Sequence, residues 1–186
     1  MFIFRELAIS GVFEIVPQKY GDERGFFSEV FKADALREHG IDVEWVQANQ
    51  AFSRAAGVLR GLHYQRPPVA QDKLVRVSSG AILDIVVDIR AGSPTFGKWL
   101  SLVVSAEKWN QIYVPKGFAH GYRTIEPNTM VLYKVSANYA PELEDAIRFD
   151  DPDIGIDWQL GDSVPILSKK DTQAPGLRER PAVFSI

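Results

Sequence analysis

The chain has 186 residues, of which 46% are hydrophobic and 24% charged; its formal net charge is −3 and it has no cysteine. This size suggests one domain whose core buries roughly 70% of the unfolded surface, and the composition excludes a disordered acidic or basic tail protein, non-specific nucleic-acid binding through a basic surplus, a disulfide framework, a zinc–thiolate or iron–sulfur site and a cysteine nucleophile. No apolar run approaches bilayer length, and Arg5 and Glu6 break any signal-peptide order at the start, so the expectation is a cytoplasmic protein with no membrane and no nucleic-acid partner.

GDERGFFSEVF (21–31) sets Asp22, Glu23, Arg24 and Glu29 around Gly25 and two phenylalanines. It reads either as a solvated turn or as a place where Arg24 meets an anion and a Phe stacks on a planar ring. KADALREHG (32–40) reads as helix, with Asp34 as cap, Leu36 on the apolar side and Gly40 as the stop. His39 lies just before that stop, where an imidazolium suits the helix dipole. In VEWVQANQ (43–50), Gln47 and Asn49 share a face with Val43 and Trp45; they either orient a ligand or satisfy a strand end.

GVLRGLHYQ (57–65) holds His63 among Arg60, Gln65, Gln71 and Lys73, more polar groups than a plain core strand tolerates. Arg60 and His63 have opposite parity in a regular strand, and they share a pocket only if Gly61 marks a bulge or twist. Over 73–80, Lys73 falls on the face of Val75 and Val77, which points an ammonium inward if that face is interior. AILDIVVDIR (81–90) alternates cleanly: Ala81, Leu83, Ile85, Val87 and Ile89 on one face, Asp84, Asp88 and Arg90 on the other. Segments 99–104 and 111–115 are further strands. His120 follows a Pro-x-Gly turn in VPKGFAHGY (114–122). In 129–139, Tyr133 and Tyr139 share a face with Val131, Val135 and Ala137, either as proton donors to a pocket or as ordinary barrel-lining aromatics. From about 150 the chain turns rich in Asp, Pro and Gly and is expected to wrap the body as loops or short helices.

Many short strands punctuated by Gly and Pro predict an all-β sandwich or barrel. Small barrels of the cupin type hold metal through a His-x-His pair, an acid and a later histidine. Here the pair reads His63-Tyr64-Gln65 and only His120 keeps the later position, so no metal is expected.

The motifs GDERGFF (21–27), VLRGLHYQ (58–65), QDKLVRV (71–77), ILDIVVDIR (82–90), SPTFGKW (93–99), VPKGFAHGY (114–122), LYK (132–134), DDPDIGIDW (150–158) and SKKDTQAP (168–175) stand in order along the chain. In their order and spacing the chain resembles the dTDP-4-dehydrorhamnose 3,5-epimerase family, from about residue 3 to 177. The resemblance implies an all-β cupin-type double-stranded β-helix, or jelly roll. It would span residues 1–186 as one domain, exchange N-terminal strands in a homodimer, and leave 178–186 as a tail. It implies a metal-free, cofactor-free epimerase acting on a dTDP-4-keto-6-deoxyhexose. By position His63 is the base, Asp171 its orienting partner, Tyr133 the proton donor, and Lys73 the cation near the keto oxygen. Arg24, Phe27, Glu29, Gln47, Asn49, Arg60, His120, Tyr139, Glu144 and Lys169 are the substrate contacts, with Tyr139 linked to double rather than single epimerisation. Phe27 and Trp158 are candidates to stack on thymine. The chain departs from the family pattern at Ala48 and Gln50, where Asp and His are frequent, at Asp72, where Gly is frequent, and at Lys170, where a small residue is frequent. These departures bear on fine specificity.

The chemistry explains the residue types. A ketone at carbon 4 acidifies the protons at carbons 3 and 5, so epimerisation needs a base and an acid on opposite faces of the ring. An acidic protein that binds a diphosphate must also concentrate local cations, for which Arg24, Arg60 and Lys169 are candidates. The competing readings are a 3- or 5-epimerase, a non-catalytic sugar-nucleotide-binding barrel and a metal-dependent cupin enzyme.

Overall fold

The computed structural model describes residues 1–186. In chain order the elements are β1 (Phe2–Glu6), β2 (Phe13–Pro17), the hairpin β3 (Lys19–Asp22) and β4 (Gly25–Ser28), α1 (Ala33–Arg37), β5 (Gln47–Ser53), β6 (Leu59–Gln65), β7 (Lys73–Ser79) and β8 (Ala81–Asp88). They continue with β9 (Arg90–Ala91), β10 (Trp99–Ser105), β11 (Gln111–Val114), β12 (Phe118–Thr124), β13 (Thr129–Val135), β14 (Glu144–Ala146), α2 (Lys169–Thr172), a 3₁₀ turn (Leu177–Glu179) and β15 (Phe184–Ser185). A six-stranded sheet runs β1-β2-β11-β7-β13-β5 and a five-stranded sheet runs β10-β8-β12-β6-β14, each antiparallel throughout. Facing each other, they form the jelly roll.

Three apolar layers follow from strand parity. Between the sheets lie Val75, Val77, Ile112, Val114 and Val131 from one and Ile82, Val86, Leu100, Val104, Phe118 and Tyr122 from the other. Outside the six-stranded sheet, Leu74 and Tyr113 pack with Ile15, Leu36 and Ile41. Outside the five-stranded sheet, Leu83, Ile85, Val87 and Ile89 lie under Ile147, Ile154 and Trp158 of the C-terminal segment. At about 1.5–3 kcal/mol per buried side chain, those four aliphatic residues give the C-terminal segment a strong reason to wrap the sheet.

That wrapping changes the meaning of β8. Its alternation suggests one buried and one polar face, yet all eight residues are buried. Asp84 and Asp88 are wholly enclosed, so each must find partners. Asp88 accepts from Arg90, Ser93 and Thr95 and closes the turn after the strand. Asp84 belongs to the site described below.

Other expectations need correction. Helix α1 is shorter than 32–40, and Asp34 does not cap it: Lys32 holds the cap position, and Asp34 pairs with Arg37 inside the helix. Gly40, at φ +80°, turns the chain after the helix, as expected. His39 stacks on Phe4 at 3.7 Å and its Nδ1 meets the Ala35 carbonyl at 2.9 Å, a local packing role. β5 begins only at Gln47, so Val43 and Trp45 do not share its inner face; Trp45 packs outside the sheet, edge-on to Tyr113. β13 stops at Val135, which leaves Tyr139 on the following loop. The segment 178–186 is docked: β15 pairs in parallel with β9, and Phe184 packs on Tyr64.

Candidate active site

A cavity of about 440 Å³ opens between the sheets, and a second of about 340 Å³ continues from it. His63, Lys73 and Tyr133 line both. Arg60 and His63 line the first together because β6 carries a bulge. His63 lies opposite His120 and Arg60 opposite Tyr122, so three steps on β6 match two on β12. Gly61 makes this possible. Its φ is +120°, and a Cβ there would lie 2.5 Å from Gly121 Cα and 2.8 Å from the His120 carbonyl.

The five-stranded sheet supplies two histidines, each paired with a carboxylate, one from α2 and one from the sheet itself. His63 Nε2 lies 2.6 Å from Asp171 Oδ1, and Ser168 Oγ donates to the other carboxylate oxygen at 2.8 Å. Ser168 also caps α2 by accepting from the Asp171 N–H. Burial raises the Asp171 pKa, but the His63 and Ser168 hydrogen bonds outweigh it and hold the carboxyl below its ordinary value. An ionised acceptor fixes the imidazole proton on Nε2, which leaves Nδ1 as the basic nitrogen. His120 is paired with Asp84 at 2.9 Å. The two lie diagonally across the β12–β8 ladder, where His120 faces Val86 and Tyr122 faces Asp84.

The six-stranded sheet supplies the opposite wall. Lys73 is on the inner face with Val75 and Val77, as its parity predicts, and Nζ donates to the His63 carbonyl at 3.3 Å. Burial pulls its pKa down to about 8 against the upward pull of Asp84 and Glu144. On β13, Tyr133 lies opposite Asn49 of β5 and Val75 of β7. Burial outweighs the nearby Arg60 charge and raises the Tyr133 pKa, so the phenol is protonated at neutral pH. Gln47 and Asn49 share this inner face and hydrogen-bond each other at 2.7 Å.

At the cavity mouth, one carboxylate gathers two groups. Glu144 Oε2 accepts from Tyr139 Oη at 2.6 Å and lies 2.5 Å from Lys170 Nζ. Burial raises the Glu144 pKa, but these two partners bring it below its ordinary value. The Tyr139 backbone N–H donates to Gln47 Oε1 at 3.0 Å, so Tyr139 joins the site although it lies off the strand.

The structure does not bring every candidate together. Arg24, Phe27 and Glu29 are exposed on or beside the β3–β4 hairpin, where Arg24 pairs with Asp22 and Phe27 is 71% exposed. Within one chain they do not line the cavity. Lys169 is exposed in the outer groove; the adjacent Lys170 turns to Glu144. Arg24, Arg60 and Lys169 therefore form no single cationic clamp within the chain. Trp158 is buried under the C-terminal wrap and donates Nε1 to the Phe149 carbonyl at 2.7 Å, so it cannot stack on a ligand. Three of the departures point away from the cavity. Ala48 and Gln50 alternate with Asn49 on the outer face, and Asp72 accepts from Tyr113 and Ser136 at 2.8 and 2.9 Å.

Four residues of the site are unassigned from sequence: Asp84, Tyr122, Ser168 and Lys170. Asp84 carried a signal, an acid on the same strand face as Val86. Tyr122 lines the cavity, and its buried hydroxyl has no partner. No three His, Cys, Asp or Glu side chains converge in the manner of a metal centre.

The fold and site define a jelly-roll protein whose two sheets enclose a cavity lined by His63, Lys73, Tyr133 and Asp171. The family model described as dTDP-4-dehydrorhamnose 3,5-epimerase matches residues 6–179, and the chain belongs to that family. It is 46% identical over 181 residues to the dTDP-4-dehydrorhamnose 3,5-epimerase of Sinorhizobium fredii, covering 97% of this chain and 92% of that one. The dTDP-6-deoxy-D-glucose-3,5-epimerase of Legionella pneumophila Philadelphia 1, solved with dTDP-4-keto-L-rhamnose, is 42% identical with a TM-score of 0.95, over 100% and 99% of the two chains. The dTDP-4-dehydrorhamnose 3,5-epimerase of Bacillus anthracis str. Ames, solved with TDP and PPi, is 39% identical with a TM-score of 0.91, over 95% and 99%.

Proposed function

We propose that this protein is an isomerase that epimerises carbons 3 and 5 of dTDP-4-dehydro-6-deoxy-D-glucose to give dTDP-4-dehydro-L-rhamnose. One observation carries the reading: His63, paired with Asp171 of α2, and the Tyr133 phenol come from opposite sheets and line one cavity. A sugar ring held between the sheets then has a base on one face and an acid on the other.

In each half-reaction His63 Nδ1 takes the proton beside the ketone, and the C–H electron pair moves onto the keto oxygen as an enolate. Asp171 stabilises the imidazolium without taking its proton. The Lys73 ammonium stabilises the oxyanion. Tyr133 then delivers a proton to the other face, the ketone re-forms, and the centre is inverted. Solvent exchange resets both groups for the second carbon. Arg60, Gln47, Asn49, His120, Tyr139, Glu144 and Lys170 hold the nucleotide sugar.

The same reading assigns residues 1–186 to one unit that works as a cytoplasmic homodimer. Exposed Arg24, Phe27 and Glu29 fit a hairpin that reaches a partner's cavity through exchanged N-terminal strands. No helix is long and apolar enough to cross a membrane.

Proton NMR in heavy water with dTDP-4-keto-6-deoxyglucose tests the activity. Deuterium should enter at both carbons with wild type and at neither with His63→Ala. Exchange at carbon 3 alone would establish a single-site epimerase instead. No exchange by wild type with ligand bound would leave only a binding barrel.

A further inference from the structure

The short edge strand β14 has two chemically distinct faces. Glu144 and Ala146 share the inner face with Gln65 and His63, their partners on β6, and Glu144 holds Tyr139 and Lys170 there. Asp145 points the other way and lies opposite Tyr64. With only three residues in its ladder and no strand beyond it, β14 has little intrinsic rigidity.

Its outer face is braced by the C-terminal tail. Arg180 Nη2 donates to Asp145 Oδ1 at 2.7 Å, and that carboxylate is almost fully buried. Arg180 is itself held on both sides. Upstream, Asp151 Oδ2 accepts the Leu177 N–H at 2.6 Å and Glu179 Oε1 accepts the Gly176 N–H at 3.1 Å. Downstream, Phe184 packs on Tyr64 and β15 pairs with β9. The family match ends at residue 179, so the brace begins one residue beyond it.

We infer that Arg180 is a positioning residue: through Asp145 it fixes β14 so that the Glu144 carboxylate stands where Tyr139 and Lys170 meet the substrate. The inference rests on the proposed role of Glu144 as a substrate contact. Arg180 touches no reacting atom, so its loss should weaken ligand binding and spare the chemical step.

Steady-state kinetics with dTDP-4-keto-6-deoxyglucose, alongside thermal melting, separate the possibilities. R180A and D145N should each raise KM about three- to tenfold, the net scale of one ordinary hydrogen bond because Arg180 acts on the substrate only through Glu144, with kcat within about twofold. The double variant should be no worse than the poorer single one, because both break the same contact. R180K should recover most of the KM, since an ammonium still donates to Asp145. A lowered melting temperature with unchanged KM in R180A and D145N would reduce the contact to a stabilising ion pair and overturn the inference. Glu144→Gln in the same assay tests the footing. If it raises KM while R180A does not, the inference alone fails. If it leaves KM unchanged, the assignment of Glu144 fails first.

Discussion

Two imidazoles lie opposite each other on neighbouring strands, each with its own carboxylate, yet their surroundings differ. The His63 side chain is 28% exposed and takes its partner from α2, 108 residues away in sequence. The His120 side chain is 8% exposed, and Asp84, on the adjacent strand, is fully enclosed. A base must reach a substrate proton and then carry positive charge, so it needs an open face and a carboxylate behind it. His63 has both. His120, sealed against β8, is suited to hold a ligand group in place. On the proposed function, one pairing motif serves two purposes because burial differs.

The largest effect should come from breaking the open pair. His63→Ala should lower kcat by about 10²–10⁴-fold, the usual contribution of a general base, in a coupled turnover assay; His120→Asn should act mainly on KM. Equal loss of kcat in both variants would erase the distinction. Next comes the opposite wall. Lys73→Ala should cost about 2.7–4 kcal/mol of transition-state stabilisation, the scale of one oxyanion donor, and a rate within threefold of wild type would remove its role.

The same lysine predicts a pH profile. Its folded pKa of about 8 lies below its ordinary value. The reactive ammonium is therefore lost as pH rises through about 8, and kcat/KM should fall on that alkaline side. Stability runs the other way: above pH 8 the unfolded chain binds the proton more tightly, so this group favours folding as pH rises toward its ordinary value. Lys73→Arg stays charged throughout and should lack the alkaline limb, whatever its absolute rate.

Smaller effects sharpen the boundary between cavity and wrap. Trp158→Phe loses one buried hydrogen bond, worth about 1 kcal/mol, and should lower Tm by roughly 2–4 °C in a chain of this size without changing KM. Ala48→Asp and Gln50→His lie outside the cavity and should shift kinetics by no more than about twofold, as for ordinary surface changes.

The parts legible in the sequence were those governed by local parity. Alternation in β7 and β13 put Lys73 and Tyr133 on inner faces. Gly61 raised the bulge question, but the answer needed its contact with Gly121 across the ladder. What escaped depended on distant chain. β8 has two buried faces because residues 147–158 return to cover the outer one, and nothing inside 81–90 encodes that return. Tyr139 and Trp45 lie beyond the ends of β13 and β5, where strand parity no longer says which way a side chain faces. Lys169 and Lys170 are adjacent, and what tells them apart is the Glu144 carboxylate on distant β14, which only Lys170 meets.

The central claim is that base and acid stand on opposite sheets, and Tyr133→Phe tests it most directly by NMR in heavy water with dTDP-4-keto-6-deoxyglucose. With His63 intact and the facing phenol gone, the account predicts deuterium entering beside the ketone with little or no inversion, because the proton returns from the face it left. Inversion at the wild-type rate, or loss of exchange together with inversion, would contradict it.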